Sequence, residues 1–334
     1  MSRGERPTGS SGMERNMKIL DFNYVRAMNI DPTQIYEWCN DVWRMKHECI
    51  LPAKTKMYQG DDGRYITMPC AIPAMDIAGV KFISRNLYDA SKPPARNSNI
   101  MVQQISKMGL LGVVDGIWIT NMRTGAIAAH SAIEYAKTGA KTLGLMGLGL
   151  TARAFLLMLG SNSSRELDVK LLRYKDQAEQ IINRFADEFP HLHFEIVESA
   201  HEVCSCDIVT SAISYANGVI APDDAYKPGC TVVPIHMGGF QNCDLFFDRV
   251  IIDDHAHTSS FKYYEQFKPR AVEMGDVVRG VAPGRANDDE RIITYCGGIA
   301  LHDLYIASKV LELAGERDDV PEVDMGFPET RFWI

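Results

Sequence analysis

Residues 141–160, KTLGLMGLGLTARAFLLMLG, restrict the fold more than any other stretch of the chain. A short apolar run containing Leu143, Leu145 and Met146 meets Gly147-Leu148-Gly149-Leu150-Thr151-Ala152, and Phe155, Leu156 and Leu159 then recur on one helical face. The order is strand, tight turn, helix. Gly147 permits the turn, Gly149 lets the backbone approach a pyrophosphate, and Ala152 takes the small-residue position where helix presses on strand. Leu150 and Thr151 open the helix, so the N–H groups there and the helix dipole would face the phosphates. A dinucleotide-binding unit of the Rossmann type is expected.

After this turn strands and helices keep alternating, with strands expected at 168–172, 193–197, 207–212, 230–235 and 249–253 and a helix at about 176–189. Alternation of this kind builds a parallel sheet covered by helices on both faces, an α/β doubly wound fold. Ahead of the turn the pattern differs. Asp31-Pro32 reads as an N-cap and first helical position, followed by Ile35, Trp38, Cys39 and Val42 at helical spacing. Residues 54–58 and 64–69 read as a hairpin across a turn at 60–63, with further strands at 79–83, 99–104 and 110–119. A helix then opens at 119–125, carries the small residues Ala126, Ala128, Ala129 and Ala132, and ends near Gly139. A last helix at about 299–314 has Leu304, Ala307, Val310 and Leu311 on one stripe. The first third is therefore expected as a mostly β domain fronted by a helix.

A length of 334 residues points to two domains. The net charge of −8 and the lack of a clustered basic run argue against nucleic acid or an anionic membrane as partner. No run approaches the roughly 18 apolar residues of a membrane span, and the N-terminus lacks the apolar core of a secretory signal. A soluble cytoplasmic protein is expected, with residues 1–16 as a tag-like or disordered leader. Eight scattered cysteines, of which Cys204 and Cys206 are the one close pair, make neither a disulfide framework nor a paired zinc site. His255 and His257, two residues apart behind Asp253-Asp254, are expected as polar loop residues, and no metal is expected.

Met68-Pro69, Gly79-Val80-Lys81, Asp115-Gly116, Ile119-Thr120 and Met122-Arg123-Thr124 precede the glycine turn in that order. Gly275-Asp276-Val277, Gly284-Arg285, Gly297-Gly298 and Asp303-Leu304 follow it. Together these segments resemble the ornithine cyclodeaminase and mu-crystallin family, over roughly residues 30 to 315. The resemblance implies two domains. Residues 17–120 with 300–334 would bind substrate and dimerise, and residues 121–299 would form the Rossmann domain that holds a nicotinamide cofactor. It implies hydride transfer between the nicotinamide and the Cα of a small α-amino or α-imino acid. An imine reductase or amino-acid dehydrogenase is the expectation. An ornithine cyclodeaminase with bound NAD, and a non-catalytic binder of the mu-crystallin type, are the alternatives. A homodimer is implied too, since pairing exposed strand edges across a two-fold axis removes them.

Candidate site residues follow from the same match. Arg123, read as lying in the first turn of its helix beside Thr124, would grip the substrate carboxylate with a planar fork. Lys81 lies between Val80 and Phe82, so its side chain points to the face opposite theirs. Lys54, or else Lys56, stands where the family carries an arginine after a proline, which keeps the charge but not the fork. Phe240 stands where the cyclodeaminases carry an aspartate, and a phenylalanine moves no proton, which leaves Asp244, His236 or a water for that task, with Lys81 beside them as a catalytic candidate. Arg173, Tyr174 and Lys175 end the second Rossmann strand. Their charge inclines the cofactor toward NADP(H) over NAD(H), with Asp176 opposing.

Overall fold

The computed structural model describes residues 16–59, 63–86, 96–214, 216–236 and 238–324. The expected leader lies outside them except for Asn16, which opens a strand, and so do positions 60–62 of the expected turn. In chain order the strands are β1 (Asn16–Leu20), β2 (Thr55–Gln59), β3 (Gly63–Ile72), β4 (Ile77–Asn86), β5 (Arg96–Gln104), β6 (Gly109–Asp115), β7 (Thr142–Met146), β8 (Leu167–Leu172), β9 (Leu192–Val197), β10 (Ile208–Ser211), β11 (Thr231–Pro234), β12 (Arg249–Ile252), β13 (Ala271–Glu273), β14 (Ile292–Tyr295) and β15 (Glu322–Asp324). The longer helices are α1 (Pro32–Met45), α2 (Gly116–Glu134), α3 (Leu150–Asn162), α4 (Gln177–Phe185) and α5 (Ala300–Ala314).

Two sheets result. The first is mixed, in the order β15-β1-β6-β5-β4-β3-β2, antiparallel except where β1 pairs with β6. The second is parallel, in the order β13-β12-β14-β11-β10-β7-β8-β9. β7 leads outward to β8 and β9 on one side, while β10 begins the other side. The strand order therefore reverses between β7 and β10, and a ligand crevice is expected at their C-terminal ends. Every residue of β10, β11 and β14 is buried, as parallel strands covered on both faces should be. β14 carries no sequence pattern long enough to announce a strand. Its Ile292 and Ile293 are fully buried, and burial worth roughly 1.5 to 3 kcal/mol for each such side chain explains how so short a strand holds a place between β11 and β12. β1, β13 and β15 were likewise not legible in the sequence.

One boundary correction bears on the site. The strand expected to run to residue 119 stops at Asp115, whose carboxylate caps α2 by accepting from the N–H groups of Ile117 at 2.8 Å and Trp118 at 3.4 Å. Ile117, Trp118 and Ile119 look like strand residues, but the aspartate cap satisfies N–H groups that a helix start leaves open. Arg123 and Thr124 consequently lie two turns inside α2, not in its first turn, and no open N–H groups stand beside them. The helix also ends earlier than expected, at Glu134. α5 returns from the far end of the chain to lie across β3, β4 and β5 and against α1 and α2. Leu304, Ala307 and Val310 are buried there as their stripe predicts.

Candidate active site

Gly147 adopts φ +79, and a Cβ at that position would stand 2.5 Å from the Ala212 carbonyl carbon at the end of β10. Only glycine allows both the left-handed turn and this close approach. Gly149 is the N-cap of α3 and supplies no side-chain cap. Nothing lies within 4 Å of where its Cβ would be. Open space thus stands before a 13-residue helix whose first N–H groups have no side-chain acceptor, and a pyrophosphate suits both features. Ala152 is fully buried and Leu150 exposed. Thr151 Oγ1 donates to Asn121 Oδ1 at 3.2 Å, tying α3 to α2.

At the end of β8, Arg173 is engaged by two carboxylates, Glu198 at 2.5 Å and Glu179 at 2.6 Å. Tyr174 is exposed beside it. Lys175 turns with φ +53 and sets its ammonium 5.5 Å from the Tyr174 ring centroid. These residues stand where the ribose end of a dinucleotide would lie.

A cleft of about 380 Å³ is lined from both sheets. Ile66, Met68 and Ile83 come from β3 and β4, Thr151 from α3, and Ile235, His236 and Gly238 from the end of β11 and beyond. Arg123, Thr120 and Thr124 come from α2. Beneath it lies a buried ion cluster. Asp303 of α5 is fully buried and accepts from Lys81 Nζ at 2.8 Å, Arg123 Nε at 3.1 Å and Arg123 Nη2 at 3.4 Å. Burial would raise the Asp303 pKa, yet the charges of Arg123 and Lys81 hold it below the ordinary carboxylate value. Lys81 also donates to Thr120 Oγ1 at 2.7 Å. Its alternation with Val80 and Phe82 directs it inward, where it is only 1% exposed, while Phe82 is exposed on the other face.

Gly298 explains how the guanidinium fits. A Cβ there would stand 1.8 Å from Arg123 Nη1, and the residue has φ +77. The Gly298 N–H donates at 2.5 Å to Asp253 Oδ2. Asp253 Oδ1 is buried with no hydrogen-bond partner, and burial pushes the Asp253 pKa up to about 6. Asp253 lines a small recess that shares Lys54 and Gly297 with the main cleft. The Lys54 pKa is lowered by burial and by neighbouring Lys56.

Arg123, Thr124, Lys54 and His236 therefore meet at one cleft, with Lys81 immediately beneath. Thr124 donates its hydroxyl to the Thr120 carbonyl at 2.5 Å, so its oxygen is left to accept. Asp244 does not join them. It is 2% exposed, accepts from the Tyr295 hydroxyl, and sits in the core beside Cys243. It does not line the cleft, so the sequence-based assignment of proton transfer to Asp244 is corrected. Phe240 is fully buried in that same core. His255 and His257 hydrogen-bond Tyr264 and Asp254, each at 2.9 Å. Sequence reasoning named neither Asp303 nor Asp253 as a site residue. Both stood in view, Asp303 inside the C-terminal motif and Asp253 at the end of a predicted strand, but nothing local marks either as facing a cation 130 or more positions earlier.

The sequence model of the ornithine cyclodeaminase/mu-crystallin family matches residues 34–318. A relative is the N-((2S)-2-amino-2-carboxyethyl)-L-glutamate dehydrogenase of Staphylococcus aureus, 24% identical over 332 residues, covering 92% of this chain and 98% of the relative. Among solved structures, an archaeal alanine dehydrogenase dimer with bound NAD superposes with a TM-score of 0.80 at 18% identity, covering 92% and 99% of the two chains. The Δ1-pyrroline-2-carboxylate reductase of Thermococcus litoralis, in complex with NADH and L-proline, does so with 0.79 at 20%, covering 92% and 100%. These likenesses show the two-sheet fold.

Proposed function

The chain belongs to the ornithine cyclodeaminase/mu-crystallin family, and from that premise we propose that it is an NAD(P)-dependent oxidoreductase of a small α-amino or α-imino acid, working as an imine reductase or amino-acid dehydrogenase. The observation that carries this reading is the Lys81–Asp303–Arg123 cluster at the base of a cleft that also reaches the start of α3. Relatives named for amino-acid dehydrogenation and for pyrroline-carboxylate reduction support it.

Gly147, Gly149 and the first N–H groups of α3 would hold the pyrophosphate. A nicotinamide dinucleotide bound there supplies or accepts the hydride. The rest falls to the chain. Arg123, held by Asp303 through Nε and Nη2, presents its Nη1 edge beside Gly298 and takes the substrate α-carboxylate together with Lys54. Asp303 fixes both Arg123 and Lys81 before substrate arrives, so little ordering remains to be done on binding. Thr124 and His236 shape the remaining polar wall, and Lys81 lies beneath it. Asp253, a carboxylate with a buried unpartnered oxygen, holds or releases the proton at the substrate nitrogen.

At the ribose end we assign the contact to Arg173, Tyr174 and Lys175, with NADPH favoured. Arg173 is shared between Glu179 and Glu198, so a 2′-phosphate gains its contact partly at their expense. The preference should be modest, on the order of tenfold or less.

One kinetic series tests the reading. Oxidation of NADH and NADPH is followed with cyclic imines, and with keto acids plus ammonia or an amine, for the wild type, Arg173→Asp and Asp253→Asn. Turnover is expected with at least one imine class, and Arg173→Asp should reverse the cofactor preference. In the direction of amine oxidation, Asp253 acts as base, so the rate should rise with pH through about 6. That limb should be missing from Asp253→Asn; an unchanged profile would move the proton to His236 or water. Tight cofactor binding without turnover would favour the non-catalytic binder, and robust proline formation from ornithine would favour the cyclodeaminase. The proposed assembly is a homodimer through the first sheet, which a monomer in sedimentation at micromolar concentration would contradict.

A further inference from the structure

At the C-terminal end of α1, Lys46 lies between two carboxylates, Asp254 Oδ2 at 2.9 Å and Glu273 Oε2 at 2.6 Å, with its side chain only 10% exposed. α1 packs on α5 and α2, whereas Asp254 follows β12 and Glu273 ends β13 of the second sheet. The triad therefore spans the seam between the two halves. The other oxygens of both carboxylates hold the loop behind β12. Asp254 Oδ1 accepts from the His257 N–H at 3.1 Å and lies 2.9 Å from His257 Nδ1, and Glu273 Oε1 accepts from the His255 N–H at 2.9 Å. Asp253 Oδ2 accepts from the Gly298 N–H, which leaves Asp253 Oδ1 as the one oxygen of the three carboxylates without a partner. Gly275 makes room for the stem of the cation. A Cβ there would stand 3.2 Å from the Trp43 carbonyl oxygen and 3.5 Å from Lys46 Cδ, so the glycine of Gly275-Asp276-Val277 lets α1 seat Lys46 against the end of β13.

Two carboxylates bridged by one partly buried cation repel each other once that cation is removed. An ion group of this kind adds little to stability and serves best to fix one arrangement. We infer that Lys46 is the positioning residue of Asp253: by holding Asp254 and Glu273 it fixes the loop behind β12, so that Asp253 stays in the recess beside Lys54 and its charge is not opposed by the carboxylate next to it. This rests on the reading of Asp253 as the carrier of the proton at the substrate nitrogen. The charged and titratable groups facing Asp253 are Arg123 of α2, Lys54, His257 of its own loop, and Tyr295 and Cys296 at the end of β14. Burial raises the Asp253 pKa to about 6, against the lowering by the Gly298 N–H, Arg123, Lys54 and His257. Without Lys46, the Asp254 charge would stand next to Asp253 with only the His257 contacts to offset it. Asp253 would then hold its proton to higher pH.

NMR of the full-length protein with isotope-labelled aspartate carboxyls tests this without a substrate. The Asp253 resonance is identified by its loss in Asp253→Asn, and its titration midpoint is compared among variants. In Lys46→Met the midpoint should rise by about half a pH unit or more, the effect of losing one nearby positive charge. Lys46→Arg, which keeps that charge, should leave it within about 0.2 of the wild type. Glu273→Gln leaves Lys46 with a single carboxylate; it should lower the midpoint, and it serves if Lys46→Met does not fold. Loosened packing alone would reduce activity without moving the midpoint. With any amine the wild type oxidises, Lys46→Met should lower kcat at least about tenfold and keep KM within about threefold, because Arg123 and Lys54 are untouched. A midpoint that stays put in folded Lys46→Met and in Glu273→Gln, one that rises equally in Lys46→Arg, or an unchanged kcat in Lys46→Met overturns the inference. A midpoint that shifts as expected while Asp253→Asn keeps the acid limb of the rate profile would leave Lys46 holding the loop and take the proton step from Asp253. An unmoved midpoint with that limb lost in Asp253→Asn would do the reverse.

Discussion

Arg123→Ala is expected to lower kcat/KM for the amino or imino acid by roughly 30- to 1,000-fold, the equivalent of about 2 to 4 kcal/mol for loss of a charge-assisted contact. The guanidinium has two tasks at once. Nε and Nη2 face Asp303 at 3.1 and 3.4 Å, and Nη1 fills the space that a side chain on Gly298 would take. An ammonium in its place can keep the ion pair but cannot span both, so Arg123→Lys should recover only part of the loss. Cofactor affinity should hardly change in either variant, because the Gly147 turn and α3 belong to a separate element. Steady-state kinetics alongside cofactor titration decides it. Full activity in a folded Arg123→Ala protein, or equal losses of substrate and cofactor binding, would show that Arg123 is not the carboxylate anchor.

Replacing Asp303 should cost more of the fold. Lys81 and Arg123 are 1% and 4% exposed, and Asp303→Asn would leave two buried cations without their counter-charge. Breaking a buried ion pair by removing one partner typically costs about 3 to 5 kcal/mol, since the remaining charge stays desolvated. Asp303→Asn should therefore unfold at clearly lower denaturant than the wild type at neutral pH, and should be nearly inactive because Lys81 and Arg123 lose their common anchor. The sign of the pH dependence follows from the Asp303 pKa, which is held below its ordinary value in the folded protein. The stabilisation is present above the unfolded-state value near about 4 and is lost as pH falls toward the folded one. The gap between wild type and Asp303→Asn should accordingly narrow in acid. A gap that is absent at pH 7, or that widens as pH falls, would remove Asp303 from its role as counter-ion. Arg123→Ala should be milder in the same assay because Lys81 still pairs with Asp303.

Much of this site could be read from the chain. The glycine turn, the buried strands after it and the inward direction of Lys81 are local properties, set by spacing over fewer than 20 residues, and each stands as the spacing requires. The start of α2 was misread for an equally local reason, because Ile117-Trp118-Ile119 suits a strand by composition and the Asp115 cap that overrides it is a single side chain. The placement of Asp244 could not be read at all. Whether a carboxylate after β11 turns to a cleft or to Tyr295 depends on which surfaces close over it.

What the sequence determined by itself is therefore the parallel Rossmann half, its glycine turn and the helix start behind it, and the identities of the cations, since these follow from backbone conformation and side-chain period. What only the tertiary structure decided is which charges meet. Asp303 lies 180 residues from Arg123 and 222 from Lys81, and it reaches them only because α5 returns to lie across β3, β4 and β5. β14 finds its place between β11 and β12 for the same reason. An ion pair or a sheet neighbour is a property of two surfaces in contact, and residue spacing along one of them carries no information about the other.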